Sequence, residues 1–213
     1  LARAKGAART LSPGSAYPAG GDDETRKFIR YWFDDYARGQ LAALSCAISR
    51  VRDQATRDVL WCGFSRLIIT KSAGASLAMD LSHSRPHKRF TTAPVKPFNR
   101  FIAAVDAVVC NCPQSGGEPV GPMAVVKQGD ARKLDIQAAS IDLVLTSPPY
   151  LNAIDYMRCS KFSLVWMGYN VDQLRDIRGE SVGAEASSEE ALDAPWVQSL
   201  IKQLGLSPKL STR

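Results

Sequence analysis

The stretch Thr146-Ser147-Pro148-Pro149-Tyr150 combines rigid hydrogen-bond acceptors with an aromatic ring. Its two prolines lock two φ angles and remove two N–H donors, so we expect the carbonyls of Ser147 and Pro148 to face outward as unpaired acceptors. Tyr150 adds a flat ring of the kind that stacks on a nucleobase extruded from its helix. Acceptors beside an aromatic platform suit chemistry on an exocyclic amine, so the catalytic candidates are Ser147, Pro148, Pro149 and Tyr150.

An apolar run leads into this motif. Residues 141–145, Ile-Asp-Leu-Val-Leu, are rich in leucine and β-branched side chains, a pattern that predicts a buried parallel strand. Ligands of open α/β sheets bind beyond the carboxyl ends of the strands, which is where the motif would lie. A stiff turn or a polyproline ligand for an adaptor domain is the alternative interpretation of Pro-Pro-Tyr. The end of a buried strand would be a poor adaptor site.

A second short apolar run precedes the first. Residues 124–130, Ala-Val-Val-Lys-Gln-Gly-Asp, predict a strand that ends at Gly129 and Asp130. A carboxylate at a strand tip can accept a hydrogen bond from an amine. The alternative is that Asp130 caps a following helix, because aspartate is a preferred N-cap residue.

The sequence from Gly129-Asp130-Ala131-Arg132 through Thr146–Asn152 to Trp166-Met167-Gly168 resembles bacterial and archaeal DNA modification methylases over roughly forty residues. These are the amino-group DNA methyltransferases, whose motif is Ser, Thr, Asn or Asp followed by Pro-Pro and Tyr, Phe or Trp. Within this family Ser-Pro-Pro-Tyr is more typical of cytosine-N4 enzymes and Asp-Pro-Pro-Tyr of adenine-N6 enzymes. Ser147 therefore favours cytosine.

The resemblance implies a fold, a cofactor and roles for single residues. The fold would be α/β, a partial Rossmann-like S-adenosylmethionine-dependent methyltransferase fold with an α-rich N-terminal part. Ser147 and the Pro148 carbonyl would hold the target amino group, and Tyr150 would stack on the flipped base. The residues implied to contact S-adenosylmethionine are Asp130, Ala131 and Thr146, and Asn152 would contact DNA.

The cysteines favour the same chemistry over its main competitor. Carbon-5 methylation of cytosine needs a thiolate, usually in a Pro-Cys setting, and none of the five cysteines follows a proline. Their odd number and the lack of a Cys-x-x-Cys pair indicate neither a disulfide framework nor a zinc knuckle. Cys110-Asn111-Cys112 is an alternative metal fragment, but His83 and His87 are the only histidines, so we expect no metal site.

The positive charge is concentrated in the first half of the chain. The net charge is +6, and residues 1–100 hold 17 Lys and Arg against 8 Asp and Glu. The densest part, residues 82–89, reads Ser-His-Ser-Arg-Pro-His-Lys-Arg, and its proline stops any helix. We expect a loop that meets the DNA backbone through Arg85, His87, Lys88 and Arg89. A solvated loop without a partner is the alternative.

Composition and breaks divide the chain into four parts. Residues 1–112 form an α-rich basic region and a candidate DNA-contacting insertion, with a helix expected after a cap at Asp22 or Asp23. The aromatic stripe Phe28, Trp32 and Tyr36 favours core over a base-stacking surface. Further helices are expected over residues 41–51, 59–68 and 98–109. Residues 113–123 are a Pro/Gly linker, 124–178 a catalytic β-α-β-α part whose last helix ends near Gly168, and 179–213 a mobile segment with a short amphipathic end from Trp196 to Leu206.

Two features expected of a methyltransferase are not found in the sequence. No Phe-x-Gly-x-Gly loop follows an apolar strand, and no acidic residue ends a second strand of the cofactor half. We therefore expect a fragment whose cofactor loop lies upstream or on another chain, with a cognate nuclease as a further partner. No stretch reaches the roughly 20 apolar residues of a membrane span, so we expect a cytoplasmic protein without a membrane partner. The competing functions are adenine-N6 methylation, RNA methylation and an inactive DNA-binding remnant.

Overall fold

The computed structural model describes residues 1–9, 16–18, 20–81, 86–112, 125–127, 129–130, 133–147, 156–180, 195–203 and 205. These residues are mainly helical. The helices are α1 (Ala2–Ala8), α2 (Asp23–Trp32), α3 (Asp35–Ser49), α4 (Gln54–Ile68), α5 (Pro97–Cys110), α6 (Tyr156–Leu164), α7 (Val171–Glu180) and α8 (Pro195–Gln203), with a 3-10 turn at Val165–Met167. The strands are β1 (Ala78–Met79) and β2 (His87–Lys88).

Three of the helices begin at a capping aspartate. The side chains of Asp22, Asp34 and Asp53 accept hydrogen bonds of 2.7, 2.7 and 2.8 Å from the backbone N–H three residues later, at the starts of α2, α3 and α4. Each bond satisfies one of the N–H groups that a helix start leaves without a partner. The predicted cap at Asp22 is confirmed, as are helices over the three regions where apolar spacing predicted them.

The aromatic stripe is divided by the start of α3. Phe28 and Trp32 are half-buried against the core, as predicted, but Tyr36 is 61% exposed. Including Tyr36 in the stripe was wrong, because α2 ends at Trp32 and the cap at Asp34 starts a new helix with a different direction. The four-residue spacing does not continue across that break.

The core forms where α6 and the 3-10 turn pack on α3 and α4. Phe162, Val165 and Trp166 are almost completely buried beside Phe33 and Phe64. The Phe33 and Trp166 rings meet edge to face with centroids 5.3 Å apart. The chain leaves α6 through Gly168, which has a φ of 101° that glycine adopts without strain. The prediction that this helix ends near Gly168 is confirmed.

Among the described residues the sheet consists of β1 and β2, which pair antiparallel with Ala78 opposite Lys88 and Met79 opposite His87. The expected loop over residues 82–89 is therefore corrected at its C-terminal end. His87 and Lys88 pair with β1, since Pro86 precedes the strand and takes no part in its hydrogen bonds. Residues 82–85 and the predicted linker, residues 113–123, lie outside the described residues.

The two predicted strands of the catalytic part are absent from its described residues. Residues 125–127, 129–130 and 133–147 contain a single isolated bridge, between Asp130 and Lys133. Leu143, Val144 and Leu145 are 80%, 77% and 94% exposed. The expectation of a buried strand was wrong for this chain by itself, because a parallel strand is buried only by neighbouring strands and covering helices. The described residues place neither beside this segment.

Candidate functional site

The first two motif residues are open to solvent. Thr146 and Ser147 are exposed and end the run 133–147, whereas Pro148, Pro149, Tyr150 and Asn152 lie outside the described residues. The hydroxyl groups of Thr146 and Ser147 are therefore accessible to a ligand. The predicted meeting of Ser147 with Tyr150 stays a prediction.

Asp130, the predicted cofactor contact, lies in a tight turn. The N–H of Lys133 donates to the carbonyl of Asp130 at 3.0 Å, and Asp130 itself is exposed. No helix occurs in residues 133–147, so the capping alternative has no support in the described part of this segment. Ala131 lies outside the described residues.

The helix that follows the motif is firmly anchored. α6 begins at Tyr156, six residues beyond Tyr150, and leads into the buried 3-10 turn. The hydroxyl of Ser45 donates to the carbonyl of Trp166 at 2.5 Å, and the N–H of Val171 donates to the hydroxyl of buried Thr25 at 2.9 Å. The C-terminal side of the motif is thus joined to a rigid element.

The predicted DNA-contacting residues lie partly on β2. His87, Lys88 and Arg89 are exposed, and the ammonium of Lys88 lies 5.0 Å from the centre of the Tyr31 ring on α2. The N–H of Arg89 donates to the carbonyl of Leu77 at 2.9 Å, which holds the backbone beside β1. Arg85 lies outside the described residues.

A groove of about 570 Å³ lies between α2, α6 and α7. Sequence reasoning missed it. Five of its twelve lining side chains are basic and one is acidic; the basic ones are Lys27, Arg158, Lys161, Arg175 and Arg178. The spacing i, i+3 of Arg158 with Lys161, and of Arg175 with Arg178, is the local signal that could have indicated one basic face on each of two helices.

Arg175 is held at the edge of this groove by two acidic side chains. Its guanidinium lies 2.7 Å from Glu24 of α2 and 2.5 Å from Asp172 of α7. The nearby charge of Glu24, with the hydrogen bonds to Asp172 and Glu24, raises the pKa of Arg175 above its usual value. These pairs tie α7 to α2, so Arg175 serves the shape of the groove.

Comparison with protein-family models, with curated proteins and with solved structures found no match to this chain. The methyltransferase resemblance therefore rests on the residues quoted above. Within the described ranges, no three His, Cys, Asp or Glu side chains are grouped closely enough to hold a metal ion. No helix in those ranges has the length and apolar character needed to cross a bilayer.

Proposed function

We propose that this protein transfers a methyl group from S-adenosylmethionine to an exocyclic amino group in DNA, at N4 of cytosine. The observation that carries the proposal is the motif Thr146-Ser147-Pro148-Pro149-Tyr150, which occurs directly before an anchored helix. Exposure of Thr146 and Ser147 supports it, because a site for an extruded base must be open to DNA.

The residue types match what the reaction needs. The amino nitrogen of cytosine is a weak nucleophile, because its lone pair is conjugated into the ring. Acceptors at Ser147 and the Pro148 carbonyl would hold its hydrogens and make that lone pair more available. Tyr150 would stack on the base and hold the nitrogen in line for direct transfer, so the protein contributes position and electrostatics, without a covalent intermediate.

The proposed cofactor contacts are Asp130, Ala131 and Thr146. The exposed carboxylate of Asp130 and hydroxyl of Thr146 are hydrogen-bonding groups that fit the amino and hydroxyl groups of a nucleoside. S-adenosylmethionine, when bound, supplies an electrophilic methyl group on sulfur. Because no glycine-rich sequence follows an apolar strand in these 213 residues, we assign the rest of the cofactor site to another segment or chain.

The same assignment accounts for the exposed apolar side chains of the catalytic part. Val125, Val126, Leu143 and Leu145 are between 76% and 95% exposed. In the partial Rossmann-like fold that we propose, strands from that other segment would pair with residues 124–130 and 141–145 and bury these side chains. We place the complete enzyme in the cytoplasm, where it would modify DNA alone or beside a cognate nuclease.

The proposal is tested by removing the stacking ring from the gene product that carries these 213 residues. Tyr150→Ala should lower transfer of labelled methyl groups to DNA at least about 100-fold, as expected when orientation at the reacting atom is lost. The matched control is Tyr156→Ala, since Tyr156 is 68% exposed at the start of α6 and lies outside the motif. It should keep activity within about twofold.

The outcomes separate the competing functions. Equal loss in both variants, or none in Tyr150→Ala, contradicts the role of the motif. Transfer to matched RNA in preference to DNA would show an RNA enzyme, and labelled N6-methyladenine would change the base. DNA binding without any methyl transfer would show a binding remnant. Full activity of the 213-residue chain alone would refute only the assignment of cofactor residues elsewhere.

A further inference from the structure

The groove between α2, α6 and α7 differs in charge from an ordinary helical surface. Its lining contains five basic side chains and one acidic one, and the acidic one, Glu24, is paired with Arg175. Lys27 is contributed by α2, Arg158 and Lys161 by α6, and Arg178 by α7. Like charges brought together from three helices repel one another, so a polyanion that fits between them would be stabilised.

The floor of the groove is rigid. The Phe28 and Trp32 rings lie 5.2 and 5.0 Å from the ring of Phe162, which is 1% exposed. The ammonium of Lys161 lies 4.9 Å from the centre of the Phe28 ring, over its face. The basic groups on this floor are therefore presented by side chains continuous with the core, which limits the ordering needed when a ligand binds.

The groove is connected to both candidate regions found in the sequence. At one side Tyr31 lines it, and the ring of Tyr31 carries Lys88 of β2 at 5.0 Å. At the other side the wall is α6, which starts six residues after Tyr150. A ligand lying in the groove would reach from the basic strand toward the end of the motif.

We propose that this groove binds the phosphate backbone of DNA. Lys27, Arg158, Lys161 and Arg178 would contact phosphates, and Arg175 would hold the position of α7 through its pairs with Glu24 and Asp172. Phosphate contacts position a duplex without reading its sequence, which leaves base selection to other residues. The choice of DNA as the occupant rests on the proposed function; the basic surface is independent of it.

The test compares two pairs of charge-neutralising substitutions in the 213-residue chain. Lys27→Gln/Arg158→Gln removes one cation from each of two groove walls. Arg66→Gln/Arg100→Gln, the control, removes two exposed cations from a separate cavity between α4 and α5. Both pairs remove two positive charges from the net +6, so an effect of overall charge would be the same in the two variants.

Binding to duplex DNA is measured by fluorescence anisotropy across a salt series. In low salt, the groove variant should bind at least about tenfold more weakly than the unchanged chain, and the slope of log K against log salt should become shallower by about 2. The control variant should stay within about twofold. Lys27→Arg/Arg158→Lys keeps both charges and should restore binding, which a purely structural effect of the first variant would not predict.

Three results would overturn the assignment: equal weakening by both neutralised pairs, no effect of the groove pair, or no measurable DNA binding by the unchanged chain in low salt. Groove-dependent binding of an acidic peptide or matched RNA, tighter than that of DNA, would assign another occupant. Tyr150→Ala should leave phosphate-driven affinity nearly unchanged. Failure of the groove and failure of the methyltransferase proposal can therefore be told apart.

Discussion

Apolar residues are used in opposite ways by two regions of this molecule, the helical body (α1 to α7 with β1 and β2) and the motif segment (the described residues between 125 and 147). In the helical body Ile29, Leu41 and Phe64 are fully buried, while in the motif segment Val126 and Leu145 are 95% and 94% exposed. Burial of an apolar side chain contributes roughly 1.5 to 3 kcal/mol of stability. The difference indicates that the helical body is stabilised by its own packing, whereas the motif segment needs a neighbour to gain the same stabilisation.

The largest expected effect compares one large side chain from each region. Trp166→Ala should lower the free energy of unfolding by roughly 3 to 5 kcal/mol, because its ring is fully buried against Phe33. Leu145→Ala, the control, should change it by less than about 0.5 kcal/mol, since an exposed side chain leaves no cavity. Urea denaturation followed by circular dichroism measures both. A loss of 2 kcal/mol or more, on the order of a core Leu→Ala, for Leu145→Ala would show that the motif segment is buried in the chain itself.

A smaller effect is expected from adding one methyl group in each region. A Cβ on Gly63 would lie 2.5 Å from Cγ2 of Val105 and 3.1 Å from its Cα, where α4 and α5 meet. Overpacking typically costs about 1 to 3 kcal/mol, which exceeds the gain of up to about 1 kcal/mol from alanine in a helix. Gly63→Ala should therefore be net destabilising.

The control for that substitution is Gly129→Ala. A Cβ there meets no atom within 4 Å, so thermal unfolding should be nearly unchanged. Stabilisation by Gly63→Ala would mean that the helices separate at little cost and that the contrast between the regions is smaller than proposed.

The smallest effect is a difference in pH dependence at a helix start. Hydrogen bonds from Thr25 lower the pKa of Asp22 below its usual value of 3.8, and those from Thr56 do the same for Asp53. A lowered pKa in the folded state means that the carboxylate stabilises the fold above about pH 3.8, and that this contribution is lost as the pH falls through the lowered value. Asp22→Asn/Asp53→Asn should therefore be less stable than the unchanged protein near neutrality, with a difference that shrinks toward about pH 3.

Urea denaturation at several pH values measures that difference. Asp142→Asn is the comparison from the motif segment, where residues 142–147 form no helix to cap. A difference that grows as the pH falls would have the wrong sign and would contradict the capping role.

Helices of this chain could be predicted from local sequence and strands could not. Asp22 starts α2 and Gly168 ends the α6 region because a capping carboxylate and a glycine at positive φ act within one turn of the chain. The run at residues 141–145 has strand-forming side chains, but its burial depends on neighbouring strands. Local sequence does not specify those neighbours, so the burial prediction failed for the chain by itself.

The candidate site divides in the same way. The motif Ser147–Tyr150 can be found from sequence because its residues are adjacent. The groove cannot, because Lys27 and Arg158 are separated by more than a hundred residues and are brought together only by packing of Phe28 and Trp32 on Phe162. The predicted positive charge was correctly noted in the first half of the chain, yet four of the five groove cations come from the second half.

The position of the transferred methyl group tests the central claim most directly. Duplex DNA is incubated with the gene product that carries these residues and with isotopically labelled S-adenosylmethionine, then digested and examined by nucleoside mass spectrometry. The account predicts labelled N4-methylcytosine that disappears in Tyr150→Ala. Label found only as 5-methylcytosine, or in no nucleoside at all, would contradict it.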